Sequence, residues 1–134
     1  FLGDFVLDGY GPYFDKKLNN HNSSNFTKFE VMKKYAMNLC PENIIYPGCY
    51  SEKVIDAFAS KCLPVSCMDT NVKEDFNDKA FINLVNHFPD NFQSIKNQLK
   101  DPIFLKKFTY EPIIIEKPNL KNEKLFIEKL ISNI

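Results

Sequence analysis

The stretch at 41–53, with the sequence PENIIYPGCYSEK, contains the side chains of this chain that are best suited to binding a ligand. It follows an apolar run at 36–40, turns at a proline–glycine pair and continues into a helical pattern. Among its functional groups we single out two carboxylates, an amide, a phenol, a hydroxyl and an ammonium, which belong to Glu42, Asn43, Tyr50, Ser51, Glu52 and Lys53. We expect these groups to lie together at one edge of a sheet.

The helix predicted to begin at Ser51 favours an anionic ligand. Ser51 is a good N-cap, and the free backbone amides after an N-cap carry the positive end of the helix dipole. A phosphate placed there would accept hydrogen bonds from those amides, and the Lys53 ammonium adds a full positive charge. Glu52 is suited to accept hydrogen bonds from paired ribose hydroxyls. The pattern predicts a site for the ribose and diphosphate of a nucleotide sugar; the alternative is a capped surface helix with a solvated Glu–Lys pair.

Strands and helices alternate along the sequence. Short apolar runs predict strands at 4–8, 36–40, 63–67 and 80–84. Apolar periodicity and capping signals predict helices at 27–35, 51–62, 89–100 and 120–134, with further helical turns at 102–108. The alternation predicts an α/β fold with a Rossmann-like, largely parallel sheet and flanking helices. Ligands of such sheets bind outside the carboxyl ends of the strands, where 42–43 and 68–71 fall.

Size and composition limit the classes of function. The 134 residues predict one domain, and 44% hydrophobic and 25% charged residues are typical of a globular protein. Basic and acidic residues balance at 17 each, so no strong field attracts nucleic acid, which is not expected as a partner. No apolar run approaches the roughly 20 residues that span a bilayer. Because the chain begins at Phe1 inside a predicted strand, we expect it to be a segment of a longer protein.

The four cysteines and two histidines do not form a metal-binding pattern. The sequence has no Cys-x-x-Cys pair, and the histidines are far from the cysteines, so no metal site is expected. Cys40, Cys62 and Cys67 lie in or beside apolar runs, where a small buried thiol is the expected state. Free thiols favour a reducing compartment.

The order of motifs in 41–53 resembles the signature of the family 10 glycosyltransferases, the α-1,3/4-fucosyltransferases. The resemblance rests on Pro41-Glu42-Asn43, on Pro47-Gly48 and on Ser51-Glu52-Lys53 at a similar separation. It continues on both sides through the segments LDGYG at 7–11, IDAF at 55–58, CLPV at 62–65, DFN at 75–77 and FIN at 81–83. The likeness covers roughly residues 4–110.

This resemblance implies that 1–134 is the GDP-fucose-binding, C-terminal half of a two-domain fold of the GT-B type. It assigns the diphosphate to Lys53, the ribose to Glu52, and a place near the phosphates and sugar to Asn43. The reaction it implies is transfer of L-fucose to a glycan acceptor with inversion at the anomeric carbon. Negative charge builds on the departing diphosphate, and cationic and amide groups stabilise it without a metal or another cofactor.

Several positions depart from the family pattern. Cys49 occupies the place of a family tyrosine, for which the neighbouring Tyr50, or else Tyr46, is the expected substitute, and Ser51 replaces a threonine. Residues 66–68 read Ser-Cys-Met where the family has Tyr-Trp-Gly. The family's phosphate-binding arginine precedes the segment at Asp8, and this chain has no arginine. The general base belongs to the N-terminal acceptor domain, so we expect a donor-binding domain that lacks that domain and its own first strand and helix, and is incomplete for catalysis.

The resemblance also leaves alternatives open. One is a non-catalytic or degenerate nucleotide-sugar-binding domain, and another is a transferase that uses a different nucleotide sugar. The acceptor domain is expected to pack against the donor site. The expected location is the cytoplasm or the cytoplasmic face of the membrane in a bacterium, with membrane association, and the Golgi lumen in a eukaryote.

Overall fold

The computed structural model describes residues 5, 7–10, 25–87, 92–116 and 120–132. These residues form a parallel sheet of three strands: β1 (Met37–Pro41), β2 (Leu63–Cys67) and β3 (Ile82–Asn83). The order β1-β2-β3 follows the chain, and β1 pairs with β2 from Met37 opposite Leu63 to Pro41 opposite Cys67. Because all strands are parallel, their carboxyl ends meet at one edge of the sheet.

Helices connect and flank these strands. The α-helices are α1 (Asn25–Met32), α2 (Lys53–Ala59), α3 (Phe92–Gln98), α4 (Pro102–Lys106) and α5 (Lys121–Ser132). Short 3₁₀ helices occupy Thr70–Glu74, Leu84–His87 and Lys107–Tyr110. A parallel sheet with helices between successive strands is the predicted Rossmann-like α/β class, which the structure confirms.

The strand β2 is central and buried on both faces. Its first four residues are buried, and apolar side chains pack against each side of the sheet. One cluster lies with α1 and α2 and consists of Met32, Cys40, Val54, Ala57, Cys62, Met68, Val72, Phe76, Ala80, Phe81 and Ile113. The other lies with α3 and the segment after it and consists of Leu63, Val65, Ile82, Leu84, Ile95 and Leu99. The two clusters hold the sheet, and with it the edge that carries the polar loop.

Several element boundaries differ from the sequence prediction. The strand at 63–67 is as predicted, and the strand at 36–40 is shifted by one residue. The predicted helix at 51–62 is shorter at both ends, and α1 begins at Asn25 rather than at 27. Of the strand predicted at 4–8, residues 4 and 6 lie outside the described residues, and residues 5, 7 and 8 are not in a strand.

The later helices agree more closely with the prediction. α3 and α5 lie inside the predicted ranges 89–100 and 120–134, of which residues 89–91 and 133–134 are outside the described part. The helical turns predicted at 102–108 are present as α4 and the 3₁₀ helix after it. In α5 the apolar side chains remain exposed, for example Phe126 at 63% and Ile131 at 67%. None of the described helices combines the length and apolar character that crossing a bilayer requires.

Asn83 ends the third strand earlier than predicted. Its amide nitrogen donates to the Met68 carbonyl at 2.8 Å, and its amide oxygen accepts from the Met68 N–H at 3.0 Å. The same oxygen accepts from the Val85 N–H at 3.4 Å, which turns the chain into the 3₁₀ helix that begins at Leu84. The predicted strand at 80–84 is therefore only Ile82–Asn83. This buried amide ties the end of β3 to the segment after β2.

We predict that replacing Asn83 with alanine destabilises the fold. Asn83 is 5% exposed, so the variant leaves the buried N–H and carbonyl of Met68 without their partner. The expected loss is about 2–4 kcal/mol in the free energy of unfolding, measured by chemical denaturation. Asn86→Ala, at an exposed position of the following 3₁₀ helix, is the matched control and is expected to stay within about 0.5 kcal/mol of the parent. Equal stability of the two variants would contradict the assigned role of Asn83.

Candidate functional site

The loop between β1 and α2 is shaped by the predicted proline–glycine turn. The Cys49 N–H donates to the Tyr46 carbonyl at 2.9 Å, and Gly48 has a φ of +74°, which favours glycine. The Gly48 N–H donates to the side-chain oxygen of Asn71 at 3.2 Å. Asn71 itself is fixed by Asp69, whose carboxylate accepts from the Asn71 N–H at 3.0 Å. The segments after β1 and β2 therefore meet, as expected for 42–43 and 68–71.

Glu42 is the most connected side chain of this loop. Its Oε1 accepts from both the backbone N–H and the hydroxyl of Ser51 at 2.9 Å. Its Oε2 lies 3.0 Å from the Ser51 hydroxyl and 3.0 Å from Nζ of Lys53. The Glu42 side chain is only 6% exposed. The carboxylate thus closes the loop by joining the end of β1 to the start of α2.

Lys53 is anchored at the same edge. Its Nζ donates to the Pro41 carbonyl at 2.8 Å and to Glu42 at 3.0 Å, and its side chain is 32% exposed. An ammonium group has three N–H donors, and the described residues supply no third acceptor. The Cys40 thiol fixes the backbone here, because it donates to the Lys53 carbonyl at 3.4 Å. Lys53 is therefore held in place with one donor left for a ligand.

The predicted N-cap is wrong. α2 begins at Lys53, and its N-cap position is Glu52, whose side chain makes no capping hydrogen bond. The hydroxyl and the N–H of Ser51 are both taken by Glu42, so they are not available to cap the helix or to bind an anion there. Ser51 therefore does not cap α2, and Lys53 supplies the full positive charge at this edge.

Protein donors keep Glu42 ionised. Burial alone would raise its pKa, but the Ser51 N–H, the Lys53 ammonium and the Ser51 hydroxyl outweigh burial and hold the pKa below its ordinary value of 4.5. The site therefore contains an internal ion pair whose two members are both fixed by further hydrogen bonds.

A cavity of about 400 Å³ opens beside this ion pair. All six side chains predicted from the sequence line it, together with the turn, in the set Glu42, Asn43, Gly48, Cys49, Tyr50, Ser51, Glu52 and Lys53. Asn43, Cys49 and Glu52 are exposed. The Tyr50 ring is half-buried and packs edge-on against Phe76, with centroids 5.3 Å apart. The structure thus brings the predicted residues together and gives Tyr50 a packing role as well.

Lys28 is a cation near the cavity that the sequence reasoning missed. Its Nζ lies 2.6 Å from Oδ2 of Asp56 and 3.8 Å from Oε1 of Glu52. This contact joins α1 to α2 and connects Lys28 to the exposed carboxylate of Glu52. The spacing of the sequence gave no signal for it, because Lys28 and Asp56 are 28 residues apart.

A second cavity, of about 490 Å³, lies along β1 and α1 and includes Pro41 and Lys28 in its wall. The Tyr35 hydroxyl donates to Oδ2 of Asp8 at 2.8 Å and lies 2.9 Å from the Tyr10 hydroxyl. The hydrogen bonds with Tyr10 and Asp8 raise the Tyr35 pKa well above its usual value. Asp8 and Tyr10 belong to the segment at 7–11, which contributes to the resemblance to the family 10 glycosyltransferases. No signal in the sequence indicated the role of Tyr35.

Among the described residues, no group of three or more His, Cys, Asp or Glu side chains is arranged to hold a metal ion. Cys40 and Cys62 are buried as predicted, whereas Cys67 is half-buried and Cys49 is exposed. Burial raises the pKa of the Cys40 thiol to about 11, so this thiol stays protonated at neutral pH.

Comparisons with known proteins relate the sequence and the fold of this chain to fucosyltransferases. No family model matches the chain. Over 91 residues the chain is 34% identical to the alpha-(1,3)-fucosyltransferase FucT of Helicobacter pylori, an alignment that covers 68% of this chain and 18% of FucT. It superposes on a crystal structure of an alpha1,3-fucosyltransferase with a TM-score of 0.68, at 26% identity over 78% of this chain and 33% of that chain.

A crystal structure of an alpha1,3-fucosyltransferase with GDP gives a TM-score of 0.65, at 27% identity over 78% of this chain and 34% of that chain. A crystal structure with GDP-fucose gives a TM-score of 0.68 over 87% of this chain and 37% of that chain, and its 24% identity supports the fold alone. The chain therefore spans about a fifth of the curated relative and about a third of the solved chains.

A parallel sheet with a polar cavity at its carboxyl edge defines the class of Rossmann-like domains. Within that class, the relatives are α-1,3-fucosyltransferases both by sequence and by fold. The resemblance to the family 10 glycosyltransferases is thereby confirmed, over a part of the length of these relatives.

The ion pair predicts a pH dependence of stability. Because the pKa of Glu42 is lower in the folded chain than in the unfolded chain, its ionised form stabilises the fold above about pH 4.5. This stabilisation is lost as the pH falls through the folded-state pKa. We expect Glu42→Gln to be about 1–3 kcal/mol less stable than the parent at pH 7, and the difference to shrink at pH 3.

Denaturant unfolding at the two pH values measures this difference. Glu30→Gln is the control, because Glu30 forms an exposed pair with Lys33 at 2.8 Å and is expected to contribute under about 1 kcal/mol. A gap between parent and Glu42→Gln that stays constant from pH 7 to pH 3 would show that the charge of Glu42 does not stabilise the fold.

Proposed function

We propose that this chain is the donor-binding part of a fucosyltransferase-like enzyme, which transfers L-fucose from GDP-fucose to a glycan acceptor with inversion. One observation carries the proposal: the six residues predicted for a nucleotide-sugar site line a single cavity, on a fold shared with an alpha1,3-fucosyltransferase solved with GDP. The reaction class follows from the relatives, and the site supplies groups of the required chemistry.

The cavity offers distinct groups to the parts of a nucleotide sugar. The Lys53 ammonium is suited to the diphosphate, because it is fixed by two acceptors and keeps one N–H donor. The exposed carboxylate of Glu52 accepts hydrogen bonds from ribose hydroxyls, and the Asn43 amide has both donors and acceptors for the phosphate and sugar region. As the bond to fucose breaks, negative charge grows on the diphosphate, and Lys53 stabilises it.

The charges around the cavity indicate that further cationic groups would strengthen donor binding. The carboxylates of Glu42, Glu52 and Asp56 face the ammonium groups of Lys28 and Lys53, so the local charge is negative. A diphosphate is itself an anion, and the chain contains no arginine. We infer that a further cation, which would add to the affinity that Lys53 supplies, and the general base that transfer requires come from the remainder of a longer protein. No metal or other cofactor is part of this proposal.

An exposed apolar rim beside the cavity, formed by residues 44–46, is suited to contact the rest of such a longer protein. Ile44, Ile45 and Tyr46 follow Glu42 and Asn43 directly and are 57%, 53% and 63% exposed. Three consecutive exposed apolar side chains are unusual on a solvated loop and typical of a surface that contacts another unit. We propose that an acceptor domain packs here and closes the donor site, bringing its base within hydrogen-bond reach of the acceptor hydroxyl.

A non-catalytic nucleotide-sugar-binding domain is the second candidate. It is favoured by the exposed Cys49, which stands where the family has a tyrosine, and by the negative local charge. A transferase for another nucleotide sugar on the same scaffold would share the nucleotide contacts and differ at the sugar. Titrations with GDP, GDP-fucose and GDP-mannose separate these candidates by nucleotide and sugar preference.

We predict that Lys53→Met weakens GDP binding about 10- to 100-fold, because a charge-assisted hydrogen bond to phosphate is worth about 1.5–3 kcal/mol. Isothermal titration calorimetry of the chain with GDP measures this change. Lys79→Met, at an exposed turn away from the cavity, is the matched control and is expected to bind GDP like the parent. If the parent does not bind GDP, or if Lys53→Met binds it equally well, the proposed donor site is wrong.

A further inference from the structure

Glu42 differs from the other polar side chains of the cavity because the protein already occupies both of its oxygens. The Ser51 N–H and hydroxyl and the Lys53 ammonium lie within 2.9–3.0 Å of the carboxylate. The side chain is 6% exposed, against 65% for Glu52. A carboxylate so enclosed has little access to a ligand in the cavity.

The charge of Glu42 also argues against direct contact with the diphosphate of a donor. An ionised carboxylate only accepts hydrogen bonds, and phosphate oxygens only accept them as well, so the two groups repel each other. The Lys53 ammonium can donate hydrogen bonds to the Glu42 carboxylate and to a phosphate oxygen at the same time. Two of its N–H donors are used by Pro41 and Glu42, and the third is left for a ligand.

The position of Lys53 depends on this contact. A lysine side chain has four rotatable bonds and loses rotamer entropy when it is fixed. Glu42 and the Pro41 carbonyl fix the ammonium before a ligand arrives, so a ligand does not bear that entropic cost. Glu42 also fixes Ser51, which is two residues before Lys53.

We propose that Glu42 is a positioning residue, which holds the Lys53 ammonium and the Ser51 backbone in the geometry that receives a nucleoside diphosphate, and is not itself a ligand of the donor. This inference rests on the proposed function and assigns Glu42 a role within it. It revises the expectation that Glu42 binds the donor directly.

The variant Glu42→Asp tests the proposal, because it keeps the negative charge and shortens the side chain by one methylene. The shorter carboxylate cannot contact Ser51 and Lys53 together at the observed distances. We expect GDP to bind about tenfold more weakly to Glu42→Asp than to the parent, measured by competition with a fluorescent GDP analogue below the melting transition. Glu30→Asp makes the same change in the exposed pair with Lys33 and is expected to leave GDP affinity unchanged.

A double-mutant cycle with Lys53→Met separates positioning from direct contact and from a merely structural role. If Glu42 acts through Lys53, Glu42→Asp changes GDP affinity less than about twofold in the Lys53→Met background. An equal tenfold loss in both backgrounds would overturn the proposal, since Glu42 would then act independently of Lys53. An unchanged affinity of Glu42→Asp in the parent background would overturn it too, while leaving Lys53 and the donor site intact.

Circular dichroism establishes that each variant is folded before binding is measured. If Glu42→Asp does not fold, Ser51→Ala replaces it, because this variant removes the hydroxyl that contacts both carboxylate oxygens and keeps Glu42. We expect weaker GDP binding for Ser51→Ala, and no further weakening when it is combined with Lys53→Met. A parent chain that does not bind GDP at all would instead refute the proposed function.

Discussion

The parallel pairing of β1 with β2 is the constraint on which the rest of the structure depends. The register that sets Pro41 opposite Cys67 ends both strands at the same level, so the loops that follow must share one edge. Gly48 and Asn71 show the result, since a backbone N–H of the first loop donates to a side chain of the second. The cavity forms where these loops meet and is held by the apolar clusters on both faces of the sheet.

Burial on both faces of the sheet leaves few ways to satisfy polar groups inside it. Ser66 in β2 is fully buried, and its hydroxyl donates to the Cys40 carbonyl at 2.7 Å. The Asn83 side chain donates to the Met68 carbonyl and accepts from the Met68 N–H. These bonds lie near the carboxyl ends of the strands, and they therefore stiffen the edge that carries the ligand groups. In this fold the polar contacts that stabilise the core also support the site.

Sequence reasoning succeeds where the signal is local and fails where a distant residue competes. The run at 63–67 is apolar at four of its five positions, and β2 has those bounds. Ser51 has the chemistry of an N-cap, but Glu42, nine residues earlier, takes its N–H and hydroxyl, so the helix starts later. Likewise, the side chain of Asn83 bonds to Met68, 15 residues away, and shortens β3. The membership of the cavity was predictable because the motif is contiguous; its hydrogen bonds were not.

The internal ion pair explains how a lysine can serve an anionic ligand in a cavity with negative local charge. Free in solvent, the Lys53 ammonium would be mobile and fully hydrated, and a ligand would have to order it. Glu42 fixes the ammonium before a ligand binds but cancels part of its positive charge. The ammonium therefore has a defined position, and the positive potential at the site is weaker. This arrangement suits a binding site to which a second unit also contributes. Cations from that unit would raise the positive potential without displacing the fixed ammonium of Lys53. The exposed rim at 44–46, on which we propose that an acceptor domain packs, follows Glu42 and Asn43 directly.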